Sequence, residues 1–543
     1  MIIKDIDTGI KIMTTTLSKT DYILYRECPN NVWVKKHKPE EYAKFEVSEF
    51  EKSLAVMGNE VEKLARGMFP AGYLVERRSE GAQELTQKLI AERTPVIFQA
   101  VFATDKYLAA TDVLKWNDSV QKYDIYEIKM SSTESDGEEE VGDEEDDKKP
   151  KRVNKKRELQ YEYDLAFQTN VIEACGVQLH DKYLVRLNRA YIRDGELDFT
   201  PNKLFIIEDK TEAIELLKSA AAEEMEQAHD FLSSVKIPPD PCPCYFKGRS
   251  SHCTAFSYIN PSVPVYSVHD LNRIGNSKKY LKELLDEGIL EIGDVPIDDR
   301  LRPKEPKNNK KPNKPRKLNQ VLVHKSQKPL VDIESIKAEL DSLTFPLYFL
   351  DYETYPTAIP PYNGYHPYQQ IVFQYSLHVL QDKDSEPVPF ECLILDGEPS
   401  DRIAKSLREH MGDTGTVVSW FKTFENSRNR ELANFLSSYK DFFLGIIART
   451  YDLMDIVENQ HYVHPGFEGR SSIKKVMPVL APHLSYKTLG VQNGTDAIEA
   501  YRQITTGELI GEMAKEKERQ MLEYCKLDTY AMYTIWKYLK NLS

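Results

Sequence analysis

Three groups of side chains in this sequence have the types and spacings that chemistry needs. In the first, an apolar run ends at Asp112, a turn with Asn117 and Asp118 follows, and an alternating segment then carries Glu127 and Lys129. Residues two apart on a strand share a face, so Glu127 and Lys129 project together. If the two runs pair as a hairpin, Asp112 lies near them. Two carboxylates and an amine at a sheet edge suit a hard divalent cation, Mg²⁺ or Mn²⁺, and its water. Lys129 would position that water, or help deprotonate it, and steady the developing phosphorane charge. A solvated salt-bridge face is the alternative for the same three residues.

In the second group, FPLYFLDYETY is apolar up to Asp351 and then offers Glu353 on the same strand face. Two acids at the end of a buried strand are costly unless a cation compensates them. Near the C-terminus, Tyr524 and Asp528 stand four apart in an apolar-periodic helix and share a face. Asp528 can complete a metal site while the Tyr524 hydroxyl holds the water. Between them, Glu425 falls where a β-rich run gives way to a helix. Asp452 and Asp455 are rival third carboxylates, with helix capping as their ordinary role. His378 and His483 read as core or surface histidines rather than bases.

The third group is Cys242, Cys244 and Cys253, which fall within twelve residues. Such spacing suits a metal, with unliganded thiols as the alternative. Cys175, Cys392 and Cys525 sit in apolar contexts and read as core.

These groups need elements to hold them. Alternating apolar runs (TPVIFQAVFA, QKYDIYEIKM, PLYFLDYETY) mix with helical patterns from Thr211 to Leu232 and in EYCKLDTYAMYTIWKYL. The mixture predicts α/β or α+β domains. With 543 residues, 41% hydrophobic and 29% charged, the chain is globular rather than disordered or coiled-coil. At about 150 residues per domain it has room for several units or two large ones. Charge divides it. Residues 134–147 hold ten acidic side chains and 148–157 hold seven basic ones, so the tract 133–157 reads as a disordered insertion. Without the acidic run the formal net charge falls from −14 to −4. Arg300–Lys317, with nine basic residues and four prolines, reads as a solvated spacer able to touch phosphates. The expected organisation is a first domain over 14–296, a linker over 297–330 and a second domain over 331–543. No run approaches the roughly 18 apolar residues of a membrane span, and the first residues lack a leader's apolar core, so a cytoplasmic protein is expected.

From about Leu17 to Cys253, the order LSKTDYILYRECPNNVWVKKH, Asp112, Glu127-x-Lys129, LQYEYDLAFQ and PPDPCPCYFKGRSSHC resembles the RecB-like branch of the PD-(D/E)XK nucleases. Within that branch it is similar to the iron–sulfur-containing exonucleases. The resemblance implies a restriction-endonuclease-type core. In it, Asp112 and Glu127 are metal ligands, Lys129 is the catalytic lysine, and Gln168 is the helix-borne residue that marks the branch. It also implies that Cys28 joins Cys242, Cys244 and Cys253 around a [4Fe–4S] cluster, with Zn²⁺ as the alternative. The family often has a metal-binding His in the segment that here reads MGNEVEKLAR, where Glu62 stands as the substitute oxygen ligand. The tyrosine expected four residues after Gln168 is Ile172 here.

From about Leu343 to Tyr538, Asp351, Glu353, Glu425 and Asp528 with Tyr524 resemble the DEDD exonucleases of the DnaQ-like, RNase H-fold class. The same text resembles a family of uncharacterised bacterial proteins in which this domain follows a RecB-like nuclease. The resemblance implies two Mg²⁺ or Mn²⁺ ions and stepwise 3′→5′ hydrolysis. The implied substrate is DNA with single-stranded ends, with RNA also open, and the implied settings are repair, recombination or defence. The family usually has Asp where Glu425 stands, which keeps Asp452 as the rival. The Tyr- and Pro-rich segment after Glu353 could stack on unpaired bases.

Overall fold

The computed structural model describes residues 2–4, 11–13, 16–45, 49–132, 150–234, 236, 241–302 and 314–543. The chain is a mixed α/β protein built on two main sheets. In the first sheet, the strands Tyr73–Leu74, Val96–Ala103, Tyr107–Asn117, Lys122–Ser132, Leu179–Leu187 and Phe205–Asp209 lie side by side in chain order. The short strand Leu17–Ser18 pairs with Tyr107–Asn117. Strands 96–132 form an antiparallel meander, and Val113 opposite Tyr126 sets the hairpin register. The helix Pro150–Ala174 then crosses over the sheet, and the chain returns parallel in Leu179–Leu187. Leu165, Ala166, Phe167, Val171 and Ile172 bury the face of this helix. Ile172 is thus a core residue.

The second sheet has five strands in the spatial order Val388–Leu393, Gln370–Leu380, Leu347–Pro356, Thr416–Ser419, Thr450–Asp452. The first three are antiparallel, and the last two run parallel to the central Leu347–Pro356. That central strand is buried almost throughout. The 32-residue helix Gly511–Leu542 lies across it, burying Met521, Tyr524, Cys525, Asp528, Met532, Ile535 and Trp536.

Two expectations change. Residues 133–149 lie outside the described residues, but the basic part of the expected insertion does not stay a loop. Helix Pro150–Ala174 begins there, with proline at its first position, where its missing N–H costs nothing. The linker is likewise not all spacer. Residues 303–313 lie outside the described residues, whereas Arg316–Ser326 is a helix that buries Val321 and Val323. Its Gln320 donates from Nε2 to Tyr266 Oη and Asp270 O (both 2.9 Å) on one side and to Glu468 O (3.1 Å) on the other. Proline excludes a helix only from its own interior, and Pro315 stands just before this one. The segment around Cys28 is two helices, Lys19–Glu27 and Pro29–His37. Pro29 opens the second, and the residue before a proline is pushed to extended backbone, as Cys28 is.

The two sheets are joined by more than the linker. The loop after the Asp351 strand reaches into the first half. Arg193 donates from Nη1 to Pro360 O (3.0 Å) and Pro361 O (2.7 Å), and its backbone pairs with Gly364 and Tyr365. The turn needs glycine at 364, where φ is +83° and a Cβ would stand 2.9 Å from the Phe435 ring. Ala358, Ile359 and Tyr368 join the core of the first sheet. Tyr365 is buried and bonded to Glu398 and Ser400, and the Tyr368 hydroxyl donates to Met130 O. These two tyrosines are committed to protein contacts rather than offered as a stacking platform.

Candidate active sites and a candidate metal centre

The hairpin brings the first group together. Ile128 N donates to Asp112 Oδ2 at 2.8 Å, so Asp112 sits beside the strand that carries Glu127 and Lys129. The Lys129 ammonium contacts Glu127 Oε1 at 2.7 Å and also pairs with Asp164. Gln168 donates to Glu127 Oε2 (2.7 Å) and to Asp164 Oδ1 (3.2 Å) from the crossing helix. Lys19, at the start of the first helix, donates to Glu127 Oε1 at 2.7 Å. Glu62 is held by Arg66 (2.7 Å) and Gln99 (2.8 Å). Burial, then the charges of Glu127 and Glu62, push the Asp112 carboxyl up to about 8. Burial would do the same to Glu127, but Lys129 and Lys19 overcome it and hold that group well below its usual range. Among the described residues, Asp112 is thus the carboxyl with no ion-pair partner, and Glu127 the one already paired. Lys19 and Asp164 were not singled out from sequence. Asp164 had a signal, since it precedes Gln168 by four residues and shares its helix face.

The second group is more acidic, with Asp351 half-buried and Glu353, Glu425 and Asp528 buried. Asp351, Glu353 and Cys525 offer ligand atoms within 4.8 Å of one another. Asp528, on the C-terminal helix, accepts from the Tyr486 hydroxyl. Burial, and then the mutual repulsion of the acids, raises Asp351 and Glu353 well above the usual carboxylate range. Burial raises Asp528 to about 6 against the opposing pull of Tyr486, Lys474 and Tyr524. Glu425 stands in the first turn of helix Lys422–Phe435, and Asp351 adds to the burial that raises it. Its Oε2 has no hydrogen-bond partner among the described residues. Asp452 is otherwise employed. It accepts from Phe421 N and Lys422 N (both 2.9 Å) and from Met454 N (3.2 Å), so it caps the helix that carries Glu425. Tyr524 is buried against Tyr486, and burial with the charges of Asp528, Glu353 and Asp351 keeps its phenol protonated.

Sequence reasoning missed Tyr486, Lys474 and the place of Cys525. The last reads as core by composition, yet its Sγ lies 3.6 Å from Asp351 Oδ2. His378 is a buried histidine with Nδ1 2.8 Å from Thr529 Oγ1, and burial lowers it to about 4. His483 is exposed. Neither touches the acids in any hydrogen bond among the described residues.

The four cysteines converge. The Sγ atoms of Cys28, Cys242, Cys244 and Cys253 lie within 4.8 Å of one another, three of them on buried residues. Cys28 comes from the break between the first two helices, and the others from the turns at 242–253. The neighbouring Cys244, Cys253 and Cys28 thiols hold the Cys242 thiol well below its usual range. Four thiols with no disulfide are a donor set for a soft cation. Tetrahedral Zn–S bonds of about 2.3 Å place sulfurs ~3.8 Å apart, within this spacing. A [4Fe–4S] cubane suits the same donors but needs the sulfurs to spread.

No helix among the described residues is long and apolar enough to cross a membrane. Among curated proteins, the chain is 29% identical over 211 residues to an uncharacterised protein of Mycoplasma pneumoniae, a homolog of MG366, and 27% identical over 216 residues to the uncharacterised protein MG366 of Mycoplasma genitalium. Each match covers 36% of this chain, and the chain spans only 32% of the length of each relative. Residues 348–472, which contain Asp351, Glu353, Glu425 and Asp452, match a family described as a domain of unknown function, DUF2779.

Proposed function

We propose that the chain is a metal-dependent nuclease with two catalytic centres, RecB-like in its first half and DnaQ-like in its second. The observation that carries this reading is the second site. Asp351 and Glu353 lie within ligand distance of each other, Asp528 and Glu425 are close enough to feel their charge, and all four carboxyls are raised above their usual range. A binding or scaffold protein gains nothing from burying four like-charged groups together, whereas a divalent cation turns that cost into affinity. Bound Mg²⁺ or Mn²⁺ would supply Lewis acidity and a water of lowered pKa. The four carboxylates would hold it, and the Tyr524 hydroxyl would orient the attacking water. The strand order of the second sheet, an antiparallel trio followed by two parallel strands, agrees with an RNase H-like fold. In the first half, the meander, the crossing helix with Gln168, and the contacts of Asp112, Glu127 and Lys129 agree with a PD-(D/E)XK core. The substrate in this reading is DNA, single-stranded at its ends, in a cytoplasmic role in repair, recombination or defence. The cysteines hold either Zn²⁺, which the sulfur spacing favours, or the [4Fe–4S] cluster that the resemblance implies.

A second reading has a specific observation behind it. Lys19 and Lys129 already neutralise Glu127 and Asp164, so the first site also works as a structural ion-pair network. On that reading only the second centre cleaves. End-labelled single- and double-stranded DNA and RNA, incubated with Mn²⁺ or EDTA, test both. Metal-dependent shortening from the 3′ end is expected. Binding that persists in EDTA with no hydrolysis in Mn²⁺ would establish a scaffold instead.

A further inference from the structure

The four-cysteine centre is not closed off. A cavity of about 470 Å³ opens beside it, lined by Cys28, Cys244 and Cys253 and by Lys156, Lys247 and Lys278. That volume is in the range of ligand pockets, about 300–1,000 Å³. Among the described residues, none of the three lysines has a carboxylate partner, and Lys247 Nζ faces Cys244 Sγ at 3.9 Å. The carboxylate in the wall, Glu27, accepts from Gln160 at 2.9 Å. Ser251 and Thr254 add hydroxyls, and the start of helix Lys278–Asp286 adds backbone N–H groups that no side chain caps. Three lysines and two hydroxyls stand against one carboxylate and three cysteine sulfurs whose charge a bound metal would share, so the space suits an anion.

Two helices connect the cavity to the first candidate site. Lys19–Glu27 begins on Glu127 through Lys19 and ends at the cavity with Glu27. Helix Pro150–Ala174 brings Lys156 to the cavity and Asp164 and Gln168 to the site. The eight residues from Lys156 to Asp164 rise about 12 Å. Stacked nucleotides advance about 3.4 Å each along a strand. We propose that this cavity is a phosphate subsite for a nucleic-acid strand, engaging a phosphate three to four nucleotides from the bond held at Asp112 and Glu127. The proposal rests on the nuclease reading of that centre. It adds a reason for the cysteine centre to stand where it does: the metal fixes the Cys242–Cys253 turns, and with them Lys247, against the two helices.

The test uses the full chain carrying Asp112→Asn and Asp351→Asn to prevent hydrolysis, with fluorescein-labelled DNA followed by anisotropy in Mg²⁺. Adding Lys247→Gln and Lys278→Gln is expected to weaken binding of a ten-nucleotide strand about tenfold. It should also lower the salt slope by about 1.4, at roughly 0.7 per phosphate contact on a single strand. A dinucleotide, too short to reach the cavity, is expected to bind equally to both proteins. Lys247→Arg with Lys278→Arg should restore ten-nucleotide binding, and unchanged metal content at the cysteines shows that the site remains folded. Equal ten-nucleotide affinity with and without the lysines, in a chain whose unmutated form cleaves DNA, overturns the subsite alone. Lysine-dependent binding of a mononucleotide as large as that of the strand also overturns it, because the cavity then takes free nucleotides. Absence of cleavage by the unmutated chain in Mn²⁺ overturns the parent reading and the subsite with it.

Discussion

Gln168 donates from Nε2 to Glu127 Oε2 at 2.7 Å, which ties the crossing helix to the hairpin strand 41 residues away in sequence. The same amide group reaches Asp164, so one side chain holds two carboxylates in fixed relation. A site built this way is rigid before any cation arrives, as catalysis by preorganised charge requires.

Separate substitutions divide the two centres. Asp351→Asn is expected to lower stepwise 3′→5′ shortening at least a hundredfold, the scale of several kcal/mol that a metal supplies to a phosphoryl oxygen. Asp112→Asn should remove a different fraction of the cleavage products, and the double variant should remove all. Product ladders on sequencing gels decide this. Loss of all cleavage in either single variant would sink the two-centre model.

The raised carboxyls set a pH dependence whose sign follows from proton counting. Asp112 at about 8 and Asp528 at about 6 bind protons more tightly folded than unfolded. Their contribution to stability is full below the unfolded value near 4 and is lost as pH rises through 6 and then 8. The metal-free chain should therefore melt at a lower temperature at pH 8 than at pH 6. Mn²⁺ should offset that loss at pH 8, because the cation binds the deprotonated carboxylates. Calorimetry at both pH values, with and without Mn²⁺, measures it. A metal-free chain more stable at pH 8 would contradict the assignment.

Tyr486 and Tyr524 make different predictions. Tyr486 donates to Asp528, so Tyr486→Phe should raise the Asp528 pKa and move the acid limb of cleavage about a unit upward in pH. Tyr524→Phe should lower kcat with little change in KM, since its hydroxyl acts on water rather than on substrate binding. pH–rate profiles of the two variants separate these roles.

Cys242→Ser should release the bound metal and destabilise the first half by several kcal/mol, because metal affinity at such sites is folding free energy. Elemental analysis of anaerobically purified protein then distinguishes zinc from iron. Equal metal content in the Cys242→Ser and parent proteins would remove the centre.

Arg193→Ala withdraws the donor from the carbonyls of Pro360 and Pro361. A loss of about 0.5–1.5 kcal/mol is expected, because water can reach the exposed Pro361 carbonyl. Urea titration reads it directly.

The strands that carry Asp112, Glu127, Lys129, Asp351 and Glu353 were legible because alternation and an apolar approach are local properties. Gln168 and Cys28 needed the resemblance, since nothing local links either to its partners. Lys19, Lys474 and Tyr486 stayed hidden for a similar reason: each is an ordinary polar residue that a fold of long sequence separation carries to a site. The Arg316–Ser326 helix was hidden by its own composition. Its basic, proline-flanked start masked the apolar positions Leu318, Val321 and Val323 that bury it.

The loop that Arg193 clasps has a consequence for inheritance. Residues 348–472 recur as a recognisable unit, yet Ala358 and Ile359 within them are lodged in the core of the neighbouring half. Cut free, that unit would carry an apolar tongue with nothing to cover it. Any lineage that paired it with a different neighbour had to supply a matching socket or rewrite the tongue. Loop 357–369 is therefore the place to read whether two relatives share the whole partnership or only the half.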